Sequence, residues 1–251
     1  MAKEKPTWDS SERWYTGCVG EKGHYYHQSI VLPSSLRLLG LKGKGALLDL
    51  GCGQGVLARQ IPKEIEYWGV DLSKNLIQSA KKLTQKPNAH FLTADATEEI
   101  PVEKKDFEWA CLMLSLQNME NSEGAIRTAA RHLKTGGRLL IVLNHPCFRI
   151  PRQTHWGVDE AAKLQYRKVQ SYMSPQKIPI QTNPGQGEKS SVTYSYHFPI
   201  SSYTSWLSKE GFRIETMEEW CSDKKSEGAR AKMEDRARKE IPLFLAILAI
   251  R

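Results

Sequence analysis

The feature that most restricts the fold of this chain is an alternation of short apolar segments with helical patterns between residues 45 and 143. The helical patterns are "SKNLIQSAKKL", with Ser73 as a candidate N-cap, and "SEGAIRTAARHLKTGG", with a glycine stop. The predicted strands are "GALLDL", "EYWGVDL" (66–72), "AHFLTADA" (89–96), "DFEWACLML" (106–114) and "RLLIVLN" (138–144). Strands that alternate with helices run parallel, so we expect an α/β fold with helices on both faces of the sheet.

The C-terminal part of the chain adds two further strands to this prediction. The segment "ISSYTSWLSKEGFRIETMEEW" indicates a helix, a break at Gly211 and a strand, and "IPLFLAILAIR" indicates a last strand. A chain of 251 residues with 40% hydrophobic composition is long enough for one sizeable core with an insertion. We therefore expect one main domain built on seven strands.

The first predicted strand runs directly into a glycine-rich loop, "LDLGCGQG", and then into what looks like the start of a helix. Glycines in such a loop let the backbone approach a nucleotide, because no β-carbon stands in the way. The spacing of Gly51, Gly53 and Gly55 differs from the GxGxxG pattern that binds a dinucleotide pyrophosphate. Asp71, at the end of the second predicted strand, can accept both hydroxyls of an unphosphorylated ribose. The pattern therefore favours an adenosine ligand without a pyrophosphate.

These motifs, in this order, resemble those of the class I S-adenosylmethionine-dependent methyltransferases, of the small-molecule, type 11-like kind. Asp49 and the glycine loop match the first motif of that family, and Asp71 matches its ribose-binding acid. Asp95 in "TADAT" matches the acid that contacts the adenine amino group, and "LKTGGRLLIV" matches the turn into the fifth strand. The resemblance implies a methyltransferase, S-adenosyl-L-methionine as cofactor, and a seven-stranded Rossmann-like sheet of order 3-2-1-4-5-7-6. The cofactor-binding residues that it implies are Asp49, Gly51, Cys52, Gly53, Gln54, Gly55, Asp71, Leu72, Asp95, Ala96 and Ser115.

Acceptor residues are expected at the point where the order of the strands in the sheet reverses, between the first and fourth strands. After the fourth strand, "SLQNM" offers Ser115, Gln117 and Asn118, and after the fifth strand, "NHPCFR" offers Asn144 and His145. The segment "SLQN" differs from the Asn-Pro-Pro-aromatic motif of the family's DNA and glutamine methyltransferases. Adenine, cytosine and glutamine nitrogens are therefore disfavoured as acceptors.

Two segments outside the shared core are expected to set specificity. We divide the chain into an N-terminal lid and helix (1–44), a cofactor-binding core (45–143), a substrate-cap insertion (144–198) and the C-terminal part of the sheet (199–251). The lid segment "WYTGCVGEKGHYYHQS" (14–29) concentrates glycine, histidine and tyrosine. The insertion is too long for an ordinary connection. Its candidate residues for a flat or anionic substrate are Arg149, Arg152 and Trp156, with Tyr166 and Arg167, which could instead pack or solvate the cap.

Methyl transfer is an in-line displacement, so alignment supplies most of the acceleration, and a base is needed only if the acceptor loses a proton. His145 is the first candidate base, because it follows a strand end, and His27 and Tyr25 on the lid come next. A structural role is the alternative for each of them. His24 and His155 show no spacing typical of a zinc site, so no metal is predicted.

Charge and composition restrict the partners of the chain. Its 36 Lys and Arg residues exceed its 28 Asp and Glu residues by eight, but much of this excess lies in mixed-charge stretches such as 222–240. This pattern is typical of a solvated surface, so a nucleic-acid partner is not favoured. Five scattered cysteines without a CxxC pair are typical of a reducing compartment. The longest apolar stretch, "LFLAILAI", is far shorter than a membrane span. We expect a cytoplasmic protein that does not enter a membrane.

The sequence thus favours methyl transfer to an oxygen or nitrogen of a small molecule. An RNA or protein methyltransferase and a non-catalytic cofactor-binding protein stay open as alternatives. The sequence gives no indication of the acceptor, its nucleophilic atom or the oligomeric state.

Overall fold

A computed structural model describes Gly17, Gly20 and the ranges 23–181 and 192–251 of the chain. Residues 14–16, 18–19 and 21–22 of the predicted lid segment, and residues 182–191 of the insertion, therefore lie outside the described residues. The strands of the central sheet are β1 (Gly45–Leu50), β2 (Ile65–Asp71), β3 (Ala89–Thr93), β4 (Phe107–Met113), β5 (Leu133–Asn144), β10 (Arg213–Trp220) and β11 (Phe244–Ile250). The insertion contributes four further strands, which form two separate hairpins.

The central sheet has the predicted seven strands in the predicted order. From one edge to the other its order is β3-β2-β1-β4-β5-β11-β10, which corresponds to 3-2-1-4-5-7-6 when the insertion is left out. Strands β1 to β5 are parallel, and β11 pairs antiparallel with both β5 and β10. The carboxyl ends of β1, β2 and β4 therefore meet at one edge of the sheet, where the glycine loop begins.

Helices cover both faces of this sheet, as predicted. They are α1 (Leu32–Leu39), α2 (Lys74–Leu83), α3 (Ser122–His132), α4 (Ile200–Lys209) and α5 (Ala231–Glu240). Side chains of β1 alternate between two apolar clusters, because neighbouring residues of a strand point to opposite faces. Leu47 packs with residues of α1 and α2, whereas Leu48 packs with residues of α3 and α4. The result is a sheet buried on both faces.

Local capping explains where α2 begins. The Ser73 Oγ accepts a hydrogen bond from the Leu76 backbone N–H at 3.1 Å, which confirms Ser73 as the N-cap. This cap places the start of α2 directly after Asp71, the last residue of β2.

Two local predictions were wrong. The glycine loop leads only into a 3-10 turn, Leu57–Arg59, because Pro62 disfavours helix in the residue before it and leaves no room for further turns. Helix α3 ends at His132 and does not reach the glycines. Leu133 pairs with Phe107 and is buried in the core, so the chain enters β5 there and the glycines lie inside that strand.

The insertion after β5 forms two antiparallel hairpins. The first pairs β6 (Thr154–Asp159) with β7 (Leu164–Val169), and the second pairs β8 (Gln176–Gln181) with β9 (Val192–His197). Strand β7 lies near α5, and β9 lies near the 3-10 turn that follows β4. The second hairpin thus stands beside the carboxyl end of β4. Among the described residues, no helix combines the length and apolar character needed to cross a bilayer.

Candidate active site

A cavity of about 560 Å³ lies at the carboxyl ends of the parallel strands. Ligands of open α/β sheets bind at this edge, and the volume is within the range of about 300 to 1,000 Å³ that is typical of small-molecule sites. Eleven predicted site residues line it, namely His27, Gly51, Gly53, Asp71, Leu72, Asp95, Ala96, Ser115, Gln117, Asn118 and Asn144. The structure therefore brings together residues of the predicted cofactor and acceptor sets.

The glycine loop approaches the end of β4 very closely. Gly51 has a φ of +80°, and a β-carbon built on it would lie 2.4 Å from the Ser115 Cβ. The Ser115 Oγ in turn donates a hydrogen bond to the Leu50 carbonyl oxygen at 2.7 Å. Gly51 thus meets both reasons for a glycine, a left-handed backbone and the absence of space for a side chain.

We expect the Gly51→Ala variant to lose at least about tenfold in affinity for S-adenosylhomocysteine and about 1 to 3 kcal/mol more stability than a matched control. The control is Gly211→Ala, because Gly211 has the same φ of +80° but nothing within 4 Å of its β-carbon position. Both variants share the cost of the backbone conformation, so the difference reports the clash with Ser115. Calorimetric titration and chemical denaturation measure the two effects. Equal losses in both variants would contradict this account of the loop.

Asp71 connects the glycine loop to the start of α2. One carboxylate oxygen accepts a hydrogen bond from the Gly53 backbone N–H at 2.8 Å, and the other accepts one from the Ser73 N–H at 2.9 Å. These donors hold the carboxylate at the cavity wall, at the position expected for the ribose hydroxyls. Asp95, which also lines the cavity, accepts hydrogen bonds from the backbone N–H and the Oγ1 of Thr97.

The charge of the cavity wall fits the expected cofactor. The described lining residues include the acids Asp71, Asp95 and Glu120 but no lysine or arginine. Such a wall offers no cation to a phosphate group, whereas it suits a ligand that carries positive charge. S-adenosylmethionine carries a sulfonium, an ammonium and a carboxylate group, which leaves it one net positive charge, and it has no phosphate. The residues that would hold its adenosine part are Asp71 and Asp95, beside the backbone of the glycine loop.

Four predicted cofactor residues lie outside the cavity lining. The Cys52 side chain is buried in the core, and the Gln54 amide donates to the Gly20 carbonyl oxygen at 2.6 Å. Gly55 faces the Phe91 ring, at 3.0 Å from its β-carbon position. Asp49 is 2% exposed and accepts a hydrogen bond of 2.6 Å from the Tyr67 hydroxyl. These residues support the loop from beneath or beside it, and direct contact with the cofactor stays a prediction.

The Asp49 carboxyl has an unusual pKa. Burial raises it from 3.8 to about 6, against the opposing effect of the Tyr67 hydrogen bond. Because the folded pKa is above the unfolded one, the stability contributed by the protonated carboxyl is lost as the pH rises from about 4 through about 6. A carboxylate kept ionised in the core at neutral pH therefore lowers the stability of the protein.

We expect the stability of Asp49→Asn relative to the parent to increase by about 2 to 3 kcal/mol between pH 4 and pH 8, because only the parent titrates at this position. Guanidinium denaturation across this range measures the difference. Asp106→Asn is the control, because Asp106 is exposed and Lys104 lowers the pKa of its carboxyl, so any pH dependence has the opposite sign. A difference between Asp49→Asn and the parent that is constant with pH would contradict the raised pKa.

His27 is the candidate base that the structure places at the cavity. It begins a π-helical turn, His27–Val31, and its Nδ1 is buried without a hydrogen-bond partner among the described residues. Burial, and to a smaller extent the charge of His24, lowers the pKa of His27 to about 4. The imidazole is therefore neutral at physiological pH, and its low pKa makes it a weak base. Tyr25, in contrast, is 43% exposed, lies outside the cavity and donates to the Asp223 carboxylate at 3.0 Å.

His145, the first candidate base, does not line the cavity. Its Nε2 lies 2.7 Å from the Glu219 carboxylate, and its Nδ1 accepts a hydrogen bond from the Cys147 N–H at 3.1 Å. Burial lowers the pKa of His145, and Glu219 acts in the opposite direction. Side chains alternate at a strand end, so Asn144 faces the cavity and His145 points away from it. This geometry disfavours His145 as the base and indicates a structural role.

The predicted acceptor residues Arg149, Arg152 and Trp156 of the cap also lie outside the lining of the large cavity. Arg149 and Trp156 line a second, smaller cavity, and Arg152 is exposed with a φ of +62° and lines neither cavity. The prediction missed Tyr196 and Glu120, which both line the large cavity and are joined by a hydrogen bond of 3.2 Å. Tyr196 lies in "TYSYH" on β9, and no local signal distinguishes it from the neighbouring tyrosine.

Comparison with known proteins relates this site to one reaction class. Residues 48–141 match the family model described as "Methyltransferase domain". The chain is 26% identical over 186 residues to a 2-phytyl-1,4-naphtoquinone methyltransferase of Trichormus variabilis, a match that covers 66% of this chain and 80% of that protein. It is 30% identical over 116 residues to the ubiquinone/menaquinone biosynthesis C-methyltransferase UbiE of Pseudomonas aeruginosa, covering 43% of this chain and 45% of that protein.

Among solved structures, an S-adenosylmethionine-dependent methyltransferase from Mesorhizobium loti matches with a TM-score of 0.69 at 23% identity. The match covers 89% of this chain and 99% of that one, so the similarity of fold extends beyond the residues of the family model. This likeness of fold agrees with the sheet order observed in this chain.

Proposed function

We propose that this chain, which belongs to the class I S-adenosylmethionine-dependent methyltransferases, methylates a small-molecule acceptor. The observation that carries the proposal is that Tyr196 of the insertion and His27 of the N-terminal segment line the same cavity as Asp71. Segments on either side of the core thus meet over the expected cofactor site. Such a cavity suits a compact acceptor better than an extended polymer.

The relatives support a ring compound as the acceptor. Two of them are named as methyltransferases of a naphthoquinone and of quinone biosynthesis, the second as a C-methyltransferase. In the cavity, Met113, Met119 and Tyr196 offer apolar contacts, and Gln117 and Asn118 offer amides. A planar ring with a hydroxyl group suits both kinds of contact. We therefore extend the predicted oxygen or nitrogen acceptor to a ring carbon made nucleophilic by a neighbouring hydroxyl.

The chain itself contributes binding, alignment and proton transfer. S-adenosylmethionine, when bound, supplies an electrophilic methyl group on a sulfonium sulfur. Asp71 and Asp95 hold the adenosine part, which positions the methyl group at the end of the strands. His27 is the candidate base that lines the cavity, and we assign to its neutral imidazole the proton of the acceptor hydroxyl. Loss of this proton raises the electron density of the oxygen and of the adjacent ring carbons.

The charge distribution argues against the polymer alternatives. No lysine or arginine is among the described residues that line the cavity. The Lys177 ammonium lies 3.2 Å from the carboxylate of Glu120, which lines the cavity, so this cation is paired with an acid. A nucleic-acid substrate needs cations along its backbone next to the reacting atom. The lysines and arginines that give the chain its net charge of +8 therefore do not line the cavity in the described part of the chain.

The proposal is tested by transfer of a labelled methyl group. Three parallel reactions each contain the protein and methyl-labelled S-adenosylmethionine. The first adds a panel of phenols and hydroquinones, the second total RNA and the third a protein extract. We expect label in the small-molecule fraction alone. Label in acid-precipitable RNA or protein would overturn the proposal, and binding of S-adenosylhomocysteine without any transfer would favour the non-catalytic alternative.

A further inference from the structure

A second cavity, of about 200 Å³, lies beside the active-site cavity. Its walls are Tyr26, Phe148, Arg149, Trp156, Arg167 and the segment 241–243 before β11. His27 and Asn144 both line the first cavity. Tyr26 directly precedes His27, and Phe244, which follows the segment 241–243, pairs in the sheet with Asn144. The two cavities therefore flank the same point of the fold, the carboxyl end of β5.

The second cavity contains positive charge that no described acid compensates. The Arg149 guanidinium makes no hydrogen bond or ion pair with any described residue, and its Cζ lies 5.6 Å from the centre of the Phe244 ring. Burial lowers the pKa of Arg149, and the Tyr26 side chain acts in the opposite direction. Arginine nevertheless stays protonated in proteins, so a partly buried, unpaired cation remains at this position.

Arg167 adds a second guanidinium to the same walls. Its Nε donates to the Phe148 carbonyl oxygen at 2.8 Å, and its Nη2 donates to the Thr154 Oγ1 at 2.7 Å. These bonds fix the side chain, whose Cζ lies 5.2 Å from the centre of the Trp156 ring. Burial, and to a smaller extent the charge of Arg149, lowers the pKa of Arg167.

We infer that the second cavity binds an oxyanionic group, a carboxylate or a phosphate, carried by the methyl acceptor. Two guanidinium groups with free donors match the planar arrangement of such oxygens, and an anion removes the repulsion between them. The Trp156 and Phe148 rings provide flat apolar walls beside the charge. The inference rests on the proposed function in one respect, that the anion and the methylated atom belong to one small molecule.

The position of the cavity specifies the acceptor further. Because Arg149 follows Asn144 by only five residues, the anionic group is expected close to the reacting atom. A hydroxylated aromatic acid has the required combination of ring, hydroxyl and oxyanion. The first cavity, which no described lysine or arginine lines, then receives the ring, and the arginines receive the charge.

Binding of two probes, benzoate and phenyl phosphate, tests the inference without any methyl transfer. Calorimetric titration is carried out on the protein saturated with S-adenosylhomocysteine, with Arg149→Met as the variant. The control is Lys168→Met, which removes the same charge from an exposed neighbour of Arg167 in β7. We expect at least one probe to bind, a loss of at least about tenfold in Arg149→Met, and a change below about twofold in Lys168→Met.

The probe that binds more tightly, benzoate or phenyl phosphate, indicates whether the acceptor carries a carboxylate or a phosphate group. If neither probe binds, or if both variants lose affinity equally, the inference is overturned. Protection of Arg149 from phenylglyoxal by the bound probe, read by mass spectrometry on the unchanged chain, gives a result even if Arg149→Met does not fold. Absence of protection would also overturn the inference.

A comparison of acceptors separates this inference from the proposed function. With 4-hydroxybenzoate and 4-hydroxybenzamide as acceptors, Arg149→Met is expected to raise the KM of the acid at least about tenfold and to leave that of the amide unchanged. Probe binding without any methylated small molecule would support the anion site while contradicting the proposed function. Methylation of neutral molecules without probe binding would leave the proposed function and remove the anion site.

Discussion

Replacing His27 with alanine is expected to lower kcat by about 10²- to 10⁴-fold, the usual contribution of a general base. The reason is that His27 is a neutral histidine that lines the cavity, whereas Tyr25 and His145 do not. The affinity for S-adenosylhomocysteine is expected to stay within about threefold, because Asp71 and Asp95 are unchanged. Steady-state kinetics with the acceptor found in the labelling screen, together with calorimetry, separate the two effects.

The acidity of the acceptor gives a readout that a purely structural role would not change. A base matters most when the hydroxyl is a weak acid, so the loss is expected to shrink as the pKa of the acceptor falls. The parent is expected to keep its kcat/KM from neutral pH down to about pH 5, since the pKa of His27 is about 4. His90→Ala, which changes an exposed histidine of β3, is the matched control.

Comparison with His145 decides between the two candidate bases. Both ring nitrogens of His145 are engaged outside the cavity, so His145→Ala is expected to cost stability before it costs turnover. Full turnover in His27→Ala, with a loss confined to a folded His145→Ala variant, would restore His145 as the base.

Replacing Asp71 with alanine is expected to weaken binding of S-adenosylhomocysteine by about 1.5 to 3 kcal/mol, or about 10- to 150-fold. The variant removes the carboxylate at the ribose position, and it also removes the acceptor that holds the Gly53 and Ser73 N–H groups. Asp71→Asn keeps an oxygen acceptor and is expected to lose less. Calorimetric titration with the cofactor product measures both variants.

Asp106→Ala provides the matched control, because this aspartate is exposed at the opposite, amino end of β4 and pairs with Lys104. Its affinity is expected to equal that of the parent. Unchanged binding in Asp71→Ala would remove the assignment of the cofactor site, and a preference for NAD over S-adenosylhomocysteine would favour a dinucleotide fold instead.

The cofactor side of the site follows from short stretches of sequence. Gly51 and Gly53 directly continue β1, and Asp71 ends β2, the neighbouring parallel strand. Parallel pairing brings the carboxyl ends of adjacent strands to one edge, so a motif at each end predicts a shared site. The same reasoning placed Ser115 beside the loop, and the distance between Gly51 and Ser115 confirms that the two strand ends meet.

The acceptor side was predicted less well, because it depends on which way single side chains point. His145 and Asn144 are adjacent in sequence, yet only Asn144 lines the cavity. A one-residue difference at a strand end reverses the direction of a side chain, and the sequence gives no independent sign of that direction here. Tyr196 reaches the cavity because the β8–β9 hairpin lies beside the turn after β4, an arrangement that no local pattern encodes.

The sequence by itself determined the strand and helix pattern, the order of the sheet and the cofactor loop, since these depend on residues close together along the chain. Only the tertiary structure decided that His27, and not His145, reaches the cavity, and that Arg149 and Arg167 share a second one with Tyr26. Such contacts join segments more than a hundred residues apart, from the N-terminal helix to the insertion. Their geometry is set by packing across the whole domain, which periodicity and spacing do not describe.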